Sequence, residues 1–171
     1  MNGGALTVLG IDPGTAATGY GVVVSRGQEL SAICGGVITT GAGEPLEQRL
    51  AAIFAQIGDL LDEHSPQAIA VEDIFFGRNV RTAFAVGQAR GVVLGAAGLR
   101  DTPCFTYTPQ AIKLAVCGTG QAPKDQVQRM VAALLGLAAP PEPDHAADAL
   151  AVAICHANHA GGVRSEAQTL H

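Results

Sequence analysis

Four residues of the chain carry side chains suited to holding divalent cations: Asp12, Glu72, His145 and Asp148. Asp12 closes the apolar run Leu6 to Ile11, just before the turn signature Asp12-Pro13-Gly14. Glu72 closes a second short apolar run, Ala68 to Val71. A helical crossover between parallel neighbouring strands would bring those two strand ends together. His145 and Asp148 are three positions apart on a predicted final helix, so both project from one face. Clustered carboxylates repel one another at real cost, and such a set therefore calls for cations. Its mostly oxygen donors suit Mg²⁺ or Mn²⁺. Two such ions about 4 Å apart could deprotonate a water and neutralise charge on the attacking and leaving oxygens of a phosphate. Each residue also has a structural alternative: Asp12 could cap its turn, Glu72 could be a solvated strand end, and Asp144 and Asp148 could favour the positive end of a helix dipole. The combination is what points to chemistry.

The elements that must position these residues are legible in the hydrophobic pattern. Leu6–Ile11, Gly19–Ser25 and Leu30–Thr40 read as three strands of a meander, with glycine-containing breaks. Leu46, Leu50, Ile53, Phe54, Ile57, Leu60 and Leu61 recur at helical spacing, with Pro45 in the first turn. Residues 79–98 read as a helix rich in small side chains, which would let a second subunit approach closely or pack on its own sheet. Phe105–Tyr107 reads as a strand, and 109–116 and 124–135 as helices. Pro140, Pro141 and Pro143 then end the pattern, and Asp144 stands where an N-cap belongs, before a last helix to about Ala160. Strands followed by alternating helices and strands predict an α/β fold, a mixed sheet with helices packed on it. Residues 1–160 form one expected domain, and 161–171 an expected flexible tail.

Composition narrows the class. Apolar residues make up 48% of the 171 and charged residues 15%, which fits a globular domain and not a disordered chain. No uncharged apolar run reaches the length of a membrane span, and the first residues lack a basic leader, so a cytoplasmic location is expected. Cys34, Cys104, Cys117 and Cys155 form no CxxC pair and read as buried reduced thiols; Cys155, His156 and His159 lack the second pair a zinc finger needs. The net charge is −5, yet Arg78, Arg81, Arg90, Arg100, Lys113, Lys124 and Arg129 lie in one stretch that holds only Asp101 and Asp125 as acids. That asymmetry allows a basic binding face for nucleic acid, or simply a solvated surface.

The segments GIDPGT with GYGVV, then VEDIFFGRN, GQARGV and the closing DHAADALAVAICH resemble the bacterial RuvC family of Holliday-junction resolvases, from about Val8 to His159. The resemblance implies an RNase H-like fold with a mixed five-stranded sheet and helices on both faces. It implies a homodimer that nicks opposing strands of a four-way DNA junction symmetrically, in recombination and repair, with Mg²⁺ or Mn²⁺, alongside the junction-binding and branch-migrating proteins RuvA and RuvB. Asp12, Glu72, His145 and Asp148 match the family's catalytic metal ligands. Phe75 matches the aromatic that wedges among bases near the cut, and Lys113 and Lys124 match lysines near the scissile phosphate. Arg78 and Arg81, beside Phe75, fit phosphate contacts to splayed DNA. Many relatives carry two aspartates three apart at the start of the final helix. Here that spacing gives His145 and Asp148, although the motif also aligns as Asp144 to Asp148 with one extra residue. His145 is the favoured reading, because Asp144 already has an N-cap role. Two other classes compete. A nucleotide-binding protein of the actin and sugar-kinase superfamily would use a similar Gly-Asp-Gly turn, but needs two domains around a cleft. A non-catalytic junction binder would gain nothing from acids facing phosphates.

Overall fold

The computed structural model describes residues 4–73 and 79–168. Ten elements follow in the order β1 (Leu6–Asp12), β2 (Ala17–Arg26), β3 (Glu29–Thr39), α1 (Leu46–His64), β4 (Ala68–Glu72), α2 (Val80–Gly98), β5 (Cys104–Tyr107), α3 (Pro109–Cys117), α4 (Lys124–Leu134) and α5 (Asp144–Gln168). The sheet has the spatial order β3-β2-β1-β4-β5. β1, β2 and β3 pair antiparallel as a meander, and β4 joins β1 in parallel, followed by β5. The expected mixed five-stranded sheet is therefore present, with helices on both faces.

Strand alternation divides the interior into two cores. Leu9, Ile11, Ile69 and Val71 point toward α1 and α2, where they meet Ile53, Ile57, Leu61, Val93 and Ala96. Val8, Ala70 and Val23 point the other way, toward α5, with α3 and α4 outside it through Ile112, Val116, Val127 and Val131. Wholly buried side chains such as Leu9, Ile11 and Ile57 are each worth about 1.5–3 kcal/mol of burial. α5 is apolar on every side, because it lies between the sheet and two further helices: Ala146 to Ala157 are buried except Asp148. Helix starts are fixed locally. Asn79 Oδ1 accepts from the amides of Arg81 and Thr82, and Thr108 Oγ1 accepts from the amide of Ala111.

Three expectations need correction. Asp144 is not an N-cap: α5 begins at Asp144 itself, and its carboxylate takes Gln128 Nε2 at 3.0 Å and Lys124 Nζ at 3.4 Å. Tertiary partners from α4 compete successfully for a side chain that local pattern alone assigns to the backbone. α5 also continues past Ala160 to Gln168. Finally, the four cysteines are free thiols, but only Cys155 is fully buried, and Cys34, Cys104 and Cys117 are half-buried. Among the described residues no helix is long and apolar enough to cross a membrane.

Candidate active site

β1 and β4 are parallel neighbours, with Ile11 in register with Val71, so the next residues, Asp12 and Glu72, end side by side. Alternation points both toward α5, on the same face as Gly10 and Ala70. Across the antiparallel pair, Asp12 stands opposite Gly19. The turn after Asp12 is closed by Thr18, whose buried hydroxyl donates to the Gly14 carbonyl at 2.6 Å and accepts from the Gly14 amide at 3.3 Å.

α5 delivers the other two groups, and glycines decide how close it comes. A Cβ on Gly10 would stand 2.0 Å from the Ala149 carbonyl oxygen, and one on Gly19 would stand 2.0 Å from that of His145. A Cβ on Gly21 would meet Leu150 at 2.6 Å. Three strand positions without side chains thus form a bed in which the helix backbone lies against the sheet. His145 and Asp148 descend over the end of β1 as a result. His145 Nδ1 lies 3.0 Å from Asp12 Oδ2, and one donor atom each of Asp12, His145 and Asp148 lie within 4.8 Å of one another. Glu72 lies outside this compact trio but close enough to Asp12 and Asp148 to feel their charges.

The electrostatics match that crowding. Burial, with the charges of Asp12 and Asp148 beside it, pushes the Glu72 carboxyl up to about 7, and Lys113 opposes the shift. Burial and the Asp12 charge also raise Asp148, against Lys124 and His145. Carboxylates held up in this way ionise more readily when positive charge joins them. With one imidazole and three carboxyl groups, the donor set fits a hard divalent cation of the Mg²⁺ or Mn²⁺ kind.

The remaining sequence candidates divide. Lys113 is half-buried on α3, near enough to Glu72 to act on its charge. Lys124 is exposed at the start of α4, with Nζ 3.6 Å from Asp148 Oδ2. Arg81 is exposed in the first turn of α2. Phe75 and Arg78 lie outside the described residues. The basic stretch is only partly a face. Arg100 pairs with Asp62 on the opposite helical layer, Arg129 pairs with Asp125, and Arg90 donates to Thr106 Oγ1. Sequence reasoning missed Gly10, Gly19 and Gly21 as site-builders, and Gln128 as a partner of Asp144. The glycine spacing in β1 and β2 was the available signal, but these glycines passed as ordinary residues of the predicted strands. It also missed a polar pair in the α5 core, Tyr107 Oη and His156 Nδ1 at 2.7 Å, with Phe105 against the imidazole ring at 4.5 Å. That pairing occupies one ring nitrogen of His156, and the acid-rich group above is the one multi-ligand cluster among the described residues.

Comparison with known proteins agrees with this architecture. The family model described as crossover junction endodeoxyribonuclease RuvC matches residues 8–156. The crossover junction endodeoxyribonuclease RuvC of Moorella thermoacetica is 54% identical over 155 residues, covering 91% of this chain and 93% of the relative. That of Pelotomaculum thermopropionicum is 49% identical over 154 residues, covering 90% and 94%. Among solved structures, Thermus thermophilus RuvC in complex with Holliday junction substrate superposes with a TM-score of 0.89 at 40% identity, covering 92% of this chain and 96% of that one. The yeast mitochondrial Holliday junction resolvase Ydc2 shares the fold at 15% identity and a TM-score of 0.65. From the end of β1 to the first turns of α5, the strands, glycines and acids described here lie within the matched span, and the chain belongs to the RuvC family of crossover junction endodeoxyribonucleases.

Proposed function

We propose that this chain resolves four-way DNA junctions by hydrolysing one phosphodiester in each of two opposing strands. The observation that carries the reading is the Asp12–His145–Asp148 trio with the Glu72 carboxyl at its edge, within a chain of the RuvC family. Asp12, Glu72, His145 and Asp148 are the groups that would hold Mg²⁺ or Mn²⁺, most simply two ions per site. Bound there, the ions would supply Lewis-acid activation of water and charge neutralisation at the phosphate.

The protein's own groups do the rest. The acids come from two strand ends and one helix, so the core fixes their mutual geometry before DNA arrives. Lys113 and Lys124 stand on two sides of the acids and offer cationic contacts to phosphate oxygens. Arg78 and Arg81 would extend that contact along the backbone, and Phe75 would stack among bases opened at the crossover. Paired, symmetric cutting requires two copies of the site, so the working form is a homodimer. RuvA and RuvB are the junction-processing partners, and the cytoplasm is the proposed location.

The test is a labelled synthetic four-way junction incubated with Mg²⁺ or Mn²⁺, beside a linear duplex of the same sequence. Paired nicks confined to the junction are expected. Glu72→Gln should abolish nicking and leave junction binding largely intact, since affinity comes mainly from cationic contacts to phosphates. Parallel loss of binding and cutting in a folded variant would remove Glu72 from the metal centre.

A further inference from the structure

Asp144 is exposed, at 63% for its side chain, yet it is fully engaged. Its Oδ1 accepts from Gln128 Nε2 at 3.0 Å, and its Oδ2 lies 3.4 Å from Lys124 Nζ. The same ammonium stands 3.6 Å from Asp148 Oδ2. Lys124 and Gln128 are one helical turn apart on α4, so both reach the start of α5 from the same side. Asp144 contributes no atom to the compact ligand trio. Lys124 is therefore shared between two carboxylates, one inside the metal centre and one outside it.

An exposed ion pair of this kind adds little to folding stability, so stability does not explain the arrangement. Its geometric effect is larger. A lysine has four rotatable bonds and loses substantial side-chain freedom when fixed. Gln128 holds the Asp144 carboxylate, and that carboxylate holds the ammonium at the rim of the site. Once Asp148 gives its charge to a cation, its pull on Lys124 falls, and Asp144 becomes the remaining anchor.

We propose that Asp144 is a positioning residue for cleavage: it is not a metal ligand, and with Gln128 it brackets Lys124 at the rim of the metal centre, where the ammonium meets the scissile phosphate. The inference rests on the reading of Lys124 as a phosphate contact. The role needs a carboxylate held by α4, and Gln128 and Lys124, both on α4, are the partners observed.

The experiment compares wild type, Asp144→Asn, Asp144→Glu, Lys124→Ala and the double variant Asp144→Asn/Lys124→Ala. Three quantities are read: single-turnover cutting of a four-way junction at saturating Mn²⁺, junction affinity without cutting, and Mn²⁺ affinity by calorimetry without DNA. Asp144→Asn is expected to cut ~10-fold slower. Its junction and Mn²⁺ affinities should stay within about twofold of wild type, and the double variant should be no slower than Lys124→Ala alone. Asp144→Glu should recover part of the rate. A large loss of Mn²⁺ affinity in Asp144→Asn would make Asp144 a ligand and overturn the proposal, as would additive slowing in the double variant. A wild-type rate for Asp144→Asn beside a slow Lys124→Ala would overturn the bracket while leaving the phosphate role of Lys124 intact. A full rate for Lys124→Ala would sink both.

Discussion

Gly19 and His145 meet so closely that a single added methyl carbon on Gly19 would stand 2.0 Å from the His145 carbonyl oxygen. Gly19 is also the cross-strand partner of Asp12. One position without a side chain therefore decides how near an imidazole comes to the first-strand carboxylate. Gly19→Ala is expected to lift the first turn of α5, cost about 2–3 kcal/mol by overpacking against backbone, and weaken divalent-cation binding. Gly10→Ala should act alike through Ala149. Chemical denaturation and calorimetry with Mn²⁺ check both effects. A stable variant with undiminished cation affinity would mean that the helix can slide without disturbing the ligands.

The raised Glu72 carboxyl makes a pH prediction for the metal-free protein. Its folded value, about 7, lies above the ordinary 4.5, so between these values the folded state binds more protons than the unfolded state. Stability in chelator should then fall as pH rises from about 5 to 8, by on the order of 1–3 kcal/mol. Adding Mg²⁺ or Mn²⁺ at pH 8 should restore it, because a cation favours the ionised carboxylate. Thermal unfolding at a series of pH values, with and without cation, measures this. The trend should largely vanish in Glu72→Gln.

His145 places a nitrogen donor 3.0 Å from Asp12, among carboxylates that offer only oxygen. Mn²⁺ accepts imidazole more readily than Mg²⁺ does, so cutting should be faster with Mn²⁺. His145→Asp should shift preference toward Mg²⁺. Cleavage rates in both metals decide it, and a fully active His145→Ala enzyme would exclude His145 as a ligand.

A control lies on the far layer. Arg100 grips Asp62 through two contacts, at 2.6 and 2.9 Å, and donates to the Ala96 carbonyl, joining α1 to α2 over Gly58. Arg100→Met should lower the unfolding temperature modestly and leave junction cutting unchanged. Differential scanning calorimetry beside the cleavage assay separates the two. A cutting defect in a folded variant would show that this layer reaches the site.

Much of the site was legible because its logic is periodic. Asp12 and Glu72 end apolar runs, and His145 and Asp148 share a helix face, so spacing suggested each pair, and the family resemblance joined the two pairs. Gly10, Gly19 and Gly21 were not legible in the same way. In sequence each passes as one more residue of a predicted strand, and its use as a bed for α5 appears only once register and helix are superimposed. Asp144 was misread for a related reason. An acid after prolines fits an N-cap locally, whereas its actual partners, Gln128 and Lys124, come from another helix. Local rules describe what a side chain can do, and tertiary neighbours select among those options.

The burial of α5 has a consequence for exchange with solvent deuterium. Its first turn carries His145 and Asp148, and the following turns are wedged between sheet and helices as far as Ala157. Exposing the amides of Ala149 to Ile154 then requires lifting the helix from both cores, which amounts to unfolding the domain. Those amides should be among the slowest to exchange, and bound cation should slow them further by the full free energy of binding. The proposed ligands His145 and Asp148 thus stand on the least yielding part of the molecule, and the accommodation a branched DNA needs falls to the DNA and to the protein's outer segments.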